Sequence, residues 1–241
     1  MICKSDHPAP RSSRPNLGGA GRLALAASLA VGFVAPSPAQ PLDSSALMQR
    51  LQLWLDGTRD LQGRFEQSLL SGALGAGMQE SGVFFLERPG RMRWDYLAPE
   101  KKVALVRDER TWFYIEEDEQ LLRGRTDGTE LLLRLLTGET PLAQLFDVAP
   151  AEAGADDADE DRHGDASHRL TLIPRGPEME SFQQVVLRMA AGDGSIDEAE
   201  VIDVAGNRVV YRFRDLRRNA GLRPDVFSFE PPEGTVILGE H

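Results

Sequence analysis

The sequence predicts an α+β domain that is mainly β, or an all-β domain with a helical cap. Three observations carry that expectation. From residue 60 onward, apolar residues alternate with polar ones in about ten or eleven short runs. The links between runs are short and hold turn residues, such as Arg88-Pro89-Gly90 and Pro99-Glu100. Short links mean antiparallel neighbours, because parallel pairing needs a long crossover. Helical spacing is confined to the stretch before residue 60 and to the middle of the chain. No repeat of solenoid or propeller length is visible.

The chain opens on an address. Lys4, Arg11, Arg14 and Arg22 stand against Asp6 alone, and the apolar run Leu23–Ala35 leads into Pro36-Ser37-Pro38-Ala39. A basic lead, an apolar run and small residues at Ser37 and Ala39 describe a cleavable secretory signal over residues 1–39. The thirteen apolar residues span about 20 Å as a helix, short of the roughly 30 Å hydrocarbon core, so a permanent anchor is not expected. No cysteine follows the run, so neither is a lipid-modified mature N-terminus. Residues 40–241 are then expected to form a single domain with a net charge of −14 and no cysteine. Such a chain relies on its core rather than on disulfides, and in a bacterial setting its compartment is the periplasm.

In the mature chain, Asp43 and Ser44 can cap a helix with apolar positions Leu47, Met48, Leu51, Trp54 and Leu55, ended by Gly57. Strands are expected at 60–70, 81–87, 91–97, 102–107, 111–116 and 119–125. Thr129-Glu130 opens an apolar helical run, Leu131–Leu136, closed by Gly138, and Pro141 starts a second short helix over 141–146. Residues 151–168 form an acidic low-complexity insertion. Alternation resumes at 168–174, 182–190, 196–204 and 207–215, with Gly192-Asp193-Gly194 and Ala205-Gly206 as hairpin turns. A last strand is expected at 226–229.

Composition removes several functions. The 241 residues hold 27 basic and 38 acidic side chains, a net charge of −11, which argues against nucleic acid as a partner. Cys3 is the single cysteine, so a multi-thiolate metal site is excluded. His163, His168 and His241 lack zinc-enzyme spacing, and no nucleophile elbow or phosphate-binding loop occurs. Asp157, Asp159 and Asp161 resemble the start of a calcium loop, but Arg162 stands where its glycine belongs and His168 where its glutamate does. A solvated acidic loop is the better reading. No catalytic residue, metal ligand or cofactor is expected. Binding remains.

Face by face, Met92, Trp94 and Tyr96 lie together while Arg91, Arg93 and Asp95 share the wet side. Trp112 and Tyr114 share a face, with Phe113 and Ile115 opposite, and 81–87 is apolar on both faces. Apolar helices and an aromatic sheet face must be buried together, either as an ordinary core or as a cavity closed by a helical lid. Periodicity does not separate the two. Arg88, in a turn between two apolar strands, is either a surface residue or a latch whose donors hold helix or loop carbonyls.

These residues resemble a known family. Leu61-x-x-x-Phe65-x-Gln67, Gly82 before an apolar strand, and Arg88-Pro89-x-x-Met92-x-Trp94 are similar to the LolA family, the periplasmic lipoprotein carriers of Gram-negative bacteria. So are Pro99, Leu105-Val106, Thr111-Trp112-Phe113-Tyr114, Gly138-Glu139-Thr140-Pro141-Leu142 and the ending Phe227-x-Phe229-x-Pro231-Pro232-x-Gly234. The resemblance implies a half-closed antiparallel β-barrel of about eleven strands under a helical lid. It implies a monomeric chaperone that receives triacylated lipoproteins from the inner-membrane LolCDE transporter, shields their acyl chains and passes them to LolB at the outer membrane. The lid-gating arginine falls on Arg88. The lipid-binding cavity is expected to be lined by Leu51, Trp54, Phe65, Phe84, Leu86, Met92, Trp94, Tyr96, Leu105, Trp112, Tyr114, Leu132, Leu135 and Leu136.

The chain departs from the family pattern at Arg107-Asp108-Glu109-Arg110, where a glycine-containing turn is usual, in its acidic insertion and in its long basic lead. LolB has the same implied fold but needs a cysteine at its mature N-terminus, which Cys3 cannot supply. Two other readings compete with the carrier. One is a regulatory module that senses lipids or mislocalised lipoproteins with the same barrel. The other is a secreted hydrolase, for which no nucleophile–base pair is visible.

Overall fold

Asp43 accepts a hydrogen bond from the Ala46 amide at 2.7 Å and so starts α1, Ser44–Asp56, which Gly57 ends. In the computed structural model the residues described are 43–70, 77–108, 110–125, 135–137, 140–150 and 167–239. All lie within Pro41–His241, one compact unit. The expected signal at 1–39, and residues 151–166 of the acidic insertion, lie outside them; His168 lies within a strand.

Among the described residues twelve strands follow or interleave with the helices: β1 Asp60–Leu70, β2 Met78–Glu87, β3 Arg91–Ala98, β4 Lys102–Arg107, β5 Arg110–Ile115, β6 Gln120–Arg125, β7 Phe146–Val148, β8 Ser167–Pro174, β9 Phe182–Ala190, β10 Ile196–Asp203, β11 Arg208–Arg218 and β12 Val236–Gly239. They form one sheet in the order β12-β6-β5-β4-β3-β2-β1-β11-β10-β9-β8-β7. Each neighbouring pair is antiparallel except β12 with β6. The sheet is open, its ends β12 and β7 being separate edges. The mainly β fold expected from alternation and short links is the one observed.

The differences are local. The strand expected at 226–229 is a 3₁₀ turn, Pro224–Phe227, because its backbone carbonyls are taken by side chains. Arg93 Nη1 donates to the carbonyls of Val226 at 2.9 Å and Ser228 at 3.0 Å, and Arg107 Nη1 to that of Phe227 at 3.3 Å. Two strands were not expected. β7 is three residues long, too short to show a period, and β12 is a continuous apolar run without alternation. The helix expected over 141–146 is shorter: α2 is Leu142–Leu145, and Phe146 opens β7. Of the helix expected over 131–136, residues 135 and 136 are helical with 137; 131–134 lie outside the described residues.

The main apolar core sits between one sheet face and the helices. Leu47, Met48, Leu51, Trp54 and Leu55 of α1 join Leu135, Leu136, Leu142 and Leu145 in one buried cluster with residues of β1–β3 and β8–β11. This is the amphipathic helix face that the spacing in α1 anticipates.

Candidate functional site

The floor of this cluster is aromatic. Phe84 lies opposite Trp94 across β2 and β3, and Phe65 lies opposite Gly82 on one side and Phe213 on the other. Directly paired residues share a face, so all of these side chains point to the helices. The Trp94 indole is the hub. Its ring centroid lies 4.4 Å from Phe65, 5.4 Å from Phe84 and 5.4 Å from Tyr211, while Phe84 meets Phe213 at 5.3 Å. Edge-on and offset contacts of this kind add to the area they bury. Gly82 makes the arrangement possible. A Cβ there would lie 2.0 Å from the Asp95 carbonyl oxygen and 2.8 Å from a Phe65 ring carbon.

Arg88 fastens the helices to this floor. It follows the alternation of Phe84 and Leu86, so it emerges on the inner face just as β2 ends, and Gly90 (φ +72°) completes the turn into β3. Arg88 Nε donates to the Thr137 carbonyl at 2.8 Å, and Nη1 donates to the Leu55 carbonyl. Leu55 belongs to the last turn of α1, at the negative end of the helix dipole, and its carbonyl accepts from Arg88 as well as from the Thr58 amide at 2.9 Å. One cation therefore joins two helical segments through their backbones. Burial pushes the guanidinium below its ordinary pKa, and the charge of Asp56 works against that.

Other residues hold α1 in place. Arg50 donates to the Ala191 and Gly192 carbonyls in the β9–β10 turn. Arg218 donates to the Trp54 carbonyl at 3.3 Å and stands 5.6 Å over its ring. Gln52 Oε1 accepts from the Leu142 amide at 2.8 Å, tying α1 to the start of α2.

Of the residues expected to line one cavity, Leu51, Trp54, Phe65, Phe84, Leu86, Met92, Trp94, Leu135 and Leu136 meet in this cluster, and half-buried Tyr96 packs against it. Leu132 lies outside the described residues. Leu105, Trp112 and Tyr114 are on the other face, which corrects their placement. Trp94 pairs with Ala104 and Ala104 with Phe113, whereas Leu105 pairs with Arg93 and Trp112. The register therefore places Phe113 on the floor side and sends Trp112 and Tyr114 outward. There Arg107 stands 5.6 Å over the Trp112 ring, and the Tyr114 ring meets Phe229 of the C-terminal segment at 5.2 Å.

Sequence reasoning missed Tyr211 and Phe213, although the alternation Tyr211-Arg212-Phe213-Arg214 signals an aromatic face on β11. Nothing in the sequence singles out Arg50, Gln52 or Arg218, because their partners are distant backbone atoms. Among the described residues no group of three or more His, Cys, Asp or Glu could hold a metal ion. Nor is any described helix long and apolar enough to cross a membrane.

The family model of the outer membrane lipoprotein carrier protein LolA matches residues 56–230. The chain belongs to the LolA family. Within that family it is 30% identical over 201 residues to the outer-membrane lipoprotein carrier protein of Alkalilimnicola ehrlichii, covering 81% of this chain and 85% of that one. It is 31% identical over 215 residues to the protein of the same name from Azotobacter vinelandii, covering 88% and 95%. A solved LolA superfamily protein, NE2245 from Nitrosomonas europaea, covers 78% of this chain and 98% of its own at a TM-score of 0.44 and 10% identity. The LolA match spans Arg88, the floor residues of β1–β3 and β11, and Leu135.

Proposed function

We propose that this LolA family protein is a periplasmic chaperone that shields the acyl chains of lipoproteins released from the inner membrane and delivers them to an outer-membrane acceptor. One observation carries the reading: a single arginine, Arg88, ties two helical segments over an aromatic floor. An acyl chain in water is unfavourable by about 0.8 kcal/mol per methylene, so a carrier needs a large apolar surface it can expose and cover again. The Phe65–Phe84–Trp94–Phe213 floor is that surface, and the helices are its lid. Buried Met48 and Met92 adapt to chain shape.

Hand-over in one direction requires binding weaker than at the next acceptor. The closed lid supplies that weakness, because cargo must break the Arg88 bonds to enter, and they re-form when it leaves. The chemistry is binding only. Residues 1–39 are the export signal and residues 40–241 the single carrier domain, which includes the acidic segment 151–166. The sequence has no phosphate-binding loop, so the energy for loading comes from a partner, the LolCDE transporter, and the receiver is LolB. The carrier acts as a monomer on triacylated lipoproteins.

Depletion of the protein tests this reading. Outer-membrane lipoproteins are expected to accumulate in the inner membrane; their normal sorting without it would refute the role. The lipid-sensing alternative predicts intact sorting with altered regulation instead.

A further inference from the structure

The inner face of β1–β4 changes character along its length. Nearest Arg88 it carries Leu86 and Met92, then Phe84 and Trp94. Two residues further, about 7 Å along the strand, it reaches Tyr96, level with Gly82 and Phe65, and two residues beyond that it is polar at Gln67 and Glu80. There Lys102 pairs directly with Tyr96 across β3 and β4, so its side chain leaves on the floor side. Its ammonium donates to Glu80 Oε1 at 2.7 Å and lies 3.1 Å from Glu100 Oε2. Glu80 Oε2 accepts from Gln67 Nε2 at 3.4 Å, and Gln67 Oε1 accepts from the Tyr96 hydroxyl at 3.1 Å. The Lys102 and Glu80 side chains are only 14% and 11% exposed.

An ammonium has three donors, and the protein supplies two acceptors here. Burying a lysine is unfavourable unless it is paired, and the hydrogen bond that Lys102 donates to Glu80 holds its ammonium above its ordinary pKa against that burial. The ammonium, with one donor beyond these two acceptors, lies beside Tyr96, beyond the Phe84–Trp94 level and at the end opposite the latch. An amphiphile whose tails lie on Phe84 and Trp94 with its polar junction away from Arg88 brings its first carbonyl oxygens to this place.

We propose that Lys102, positioned by Glu80, is a binding residue for the acyl-ester carbonyls at the polar junction of the lipid. This rests on the acyl-chain reading above and adds a chemical preference to it: ester-linked over ether-linked chains. Gln67 and Tyr96 position Glu80 and through it the ammonium.

The test uses residues 40–241 and three probes: a synthetic triacylated cysteinyl peptide, its analogue with both glycerol esters replaced by ethers, and an uncharged hydrocarbon dye. The unaltered protein is expected to bind the ester form about tenfold more tightly than the ether form, the worth of one charge-assisted hydrogen bond. Lys102→Met should abolish that preference and leave dye binding unchanged, and Lys102→Arg should retain it. If Lys102→Met fails to fold, the double variant Lys102→Met/Glu80→Gln removes the unpaired carboxylate and serves in its place. An equal affinity for ester and ether forms in the unaltered protein overturns the proposal. So does a variant that weakens all three probes alike, which marks the network as structural. Failure of the unaltered protein to bind any probe would instead overturn the acyl-chain reading itself.

Discussion

Replacing Arg88 by leucine should make the protein hold its cargo more tightly. Two of the guanidinium's hydrogen bonds, to the Thr137 and Leu55 carbonyls, join it to helical segments and would be lost if the lid opened. Hydrogen bonds from a charged donor contribute about 1.5–3 kcal/mol each, so the gross stabilisation of the closed state is about 3–6 kcal/mol. Desolvating the half-buried cation on closing returns part of that, and leucine recovers some apolar burial in its place. A net loss of about 2–3 kcal/mol follows, which moves the opening equilibrium roughly 30- to 140-fold at about 1.4 kcal/mol per factor of ten. Apparent affinity scales with the open fraction while that fraction is small, so the dissociation constant for a triacylated peptide should fall by a similar factor. Equilibrium binding of a fluorescent triacylated peptide, followed by its transfer to an acceptor, measures both consequences. The variant should stay folded, load readily and release slowly. An unchanged affinity, or normal transfer, in a folded Arg88→Leu protein would refute the latch.

Trp94→Glu should abolish loading while the β-sheet circular dichroism persists, because a carboxylate at the hub of the floor stays hydrated only if the lid is displaced. Lipoprotein still retained in pull-downs of that variant would count against the floor assignment. Gly82→Ala should lower the thermal midpoint, with a penalty near the upper end of the roughly 1–3 kcal/mol typical of overpacking, since the added methyl meets a backbone oxygen. A midpoint equal to that of the unaltered protein would show that the sheet yields there. Asp203 accepts from Asn207 Nδ2 and from the Ala205 and Asn207 amides, and these bonds hold its carboxylate below the ordinary value of 3.8. A depressed folded-state pKa stabilises above the unfolded value and is lost as pH falls through the folded one. The stability difference between the native protein and Asp203→Ala should therefore be constant above about pH 5 and shrink on acidification below the unfolded value; a difference independent of pH down to pH 2 would contradict it.

Much of this was legible in the sequence because alternation and turn chemistry are local. A period of two places Met92, Trp94 and Tyr96 on one surface, and helical spacing places α1 through Leu47, Leu51, Trp54 and Leu55. What alternation does not supply is the register between strands separated by a turn. Trp112 and Tyr114 share a face with each other, yet whether that face joins Trp94 depends on how the Arg107–Arg110 turn sets β4 against β5. The pairing of Ala104 with Phe113 decides it the other way. The covering of the outer face by Phe227 and Phe229 was hidden for a similar reason, since it depends on Arg93 and Arg107 reaching more than a hundred residues along the chain. Arg88 stood out as a cation between apolar strands; its acceptors, being main-chain carbonyls, carry no mark in the sequence.

The protein has three tryptophans, so a variant with Trp54 and Trp112 replaced by phenylalanine reports from Trp94 alone. Its emission, titrated with a triacylated peptide and with the same peptide lacking acyl chains, reads directly whether lipid displaces the contacts of this indole. A saturable spectral change with the acylated peptide, and none with the other, is the expected result. Identical responses to both peptides, or no response to either, would mean that the interior between the floor and the helices does not open to acyl chains.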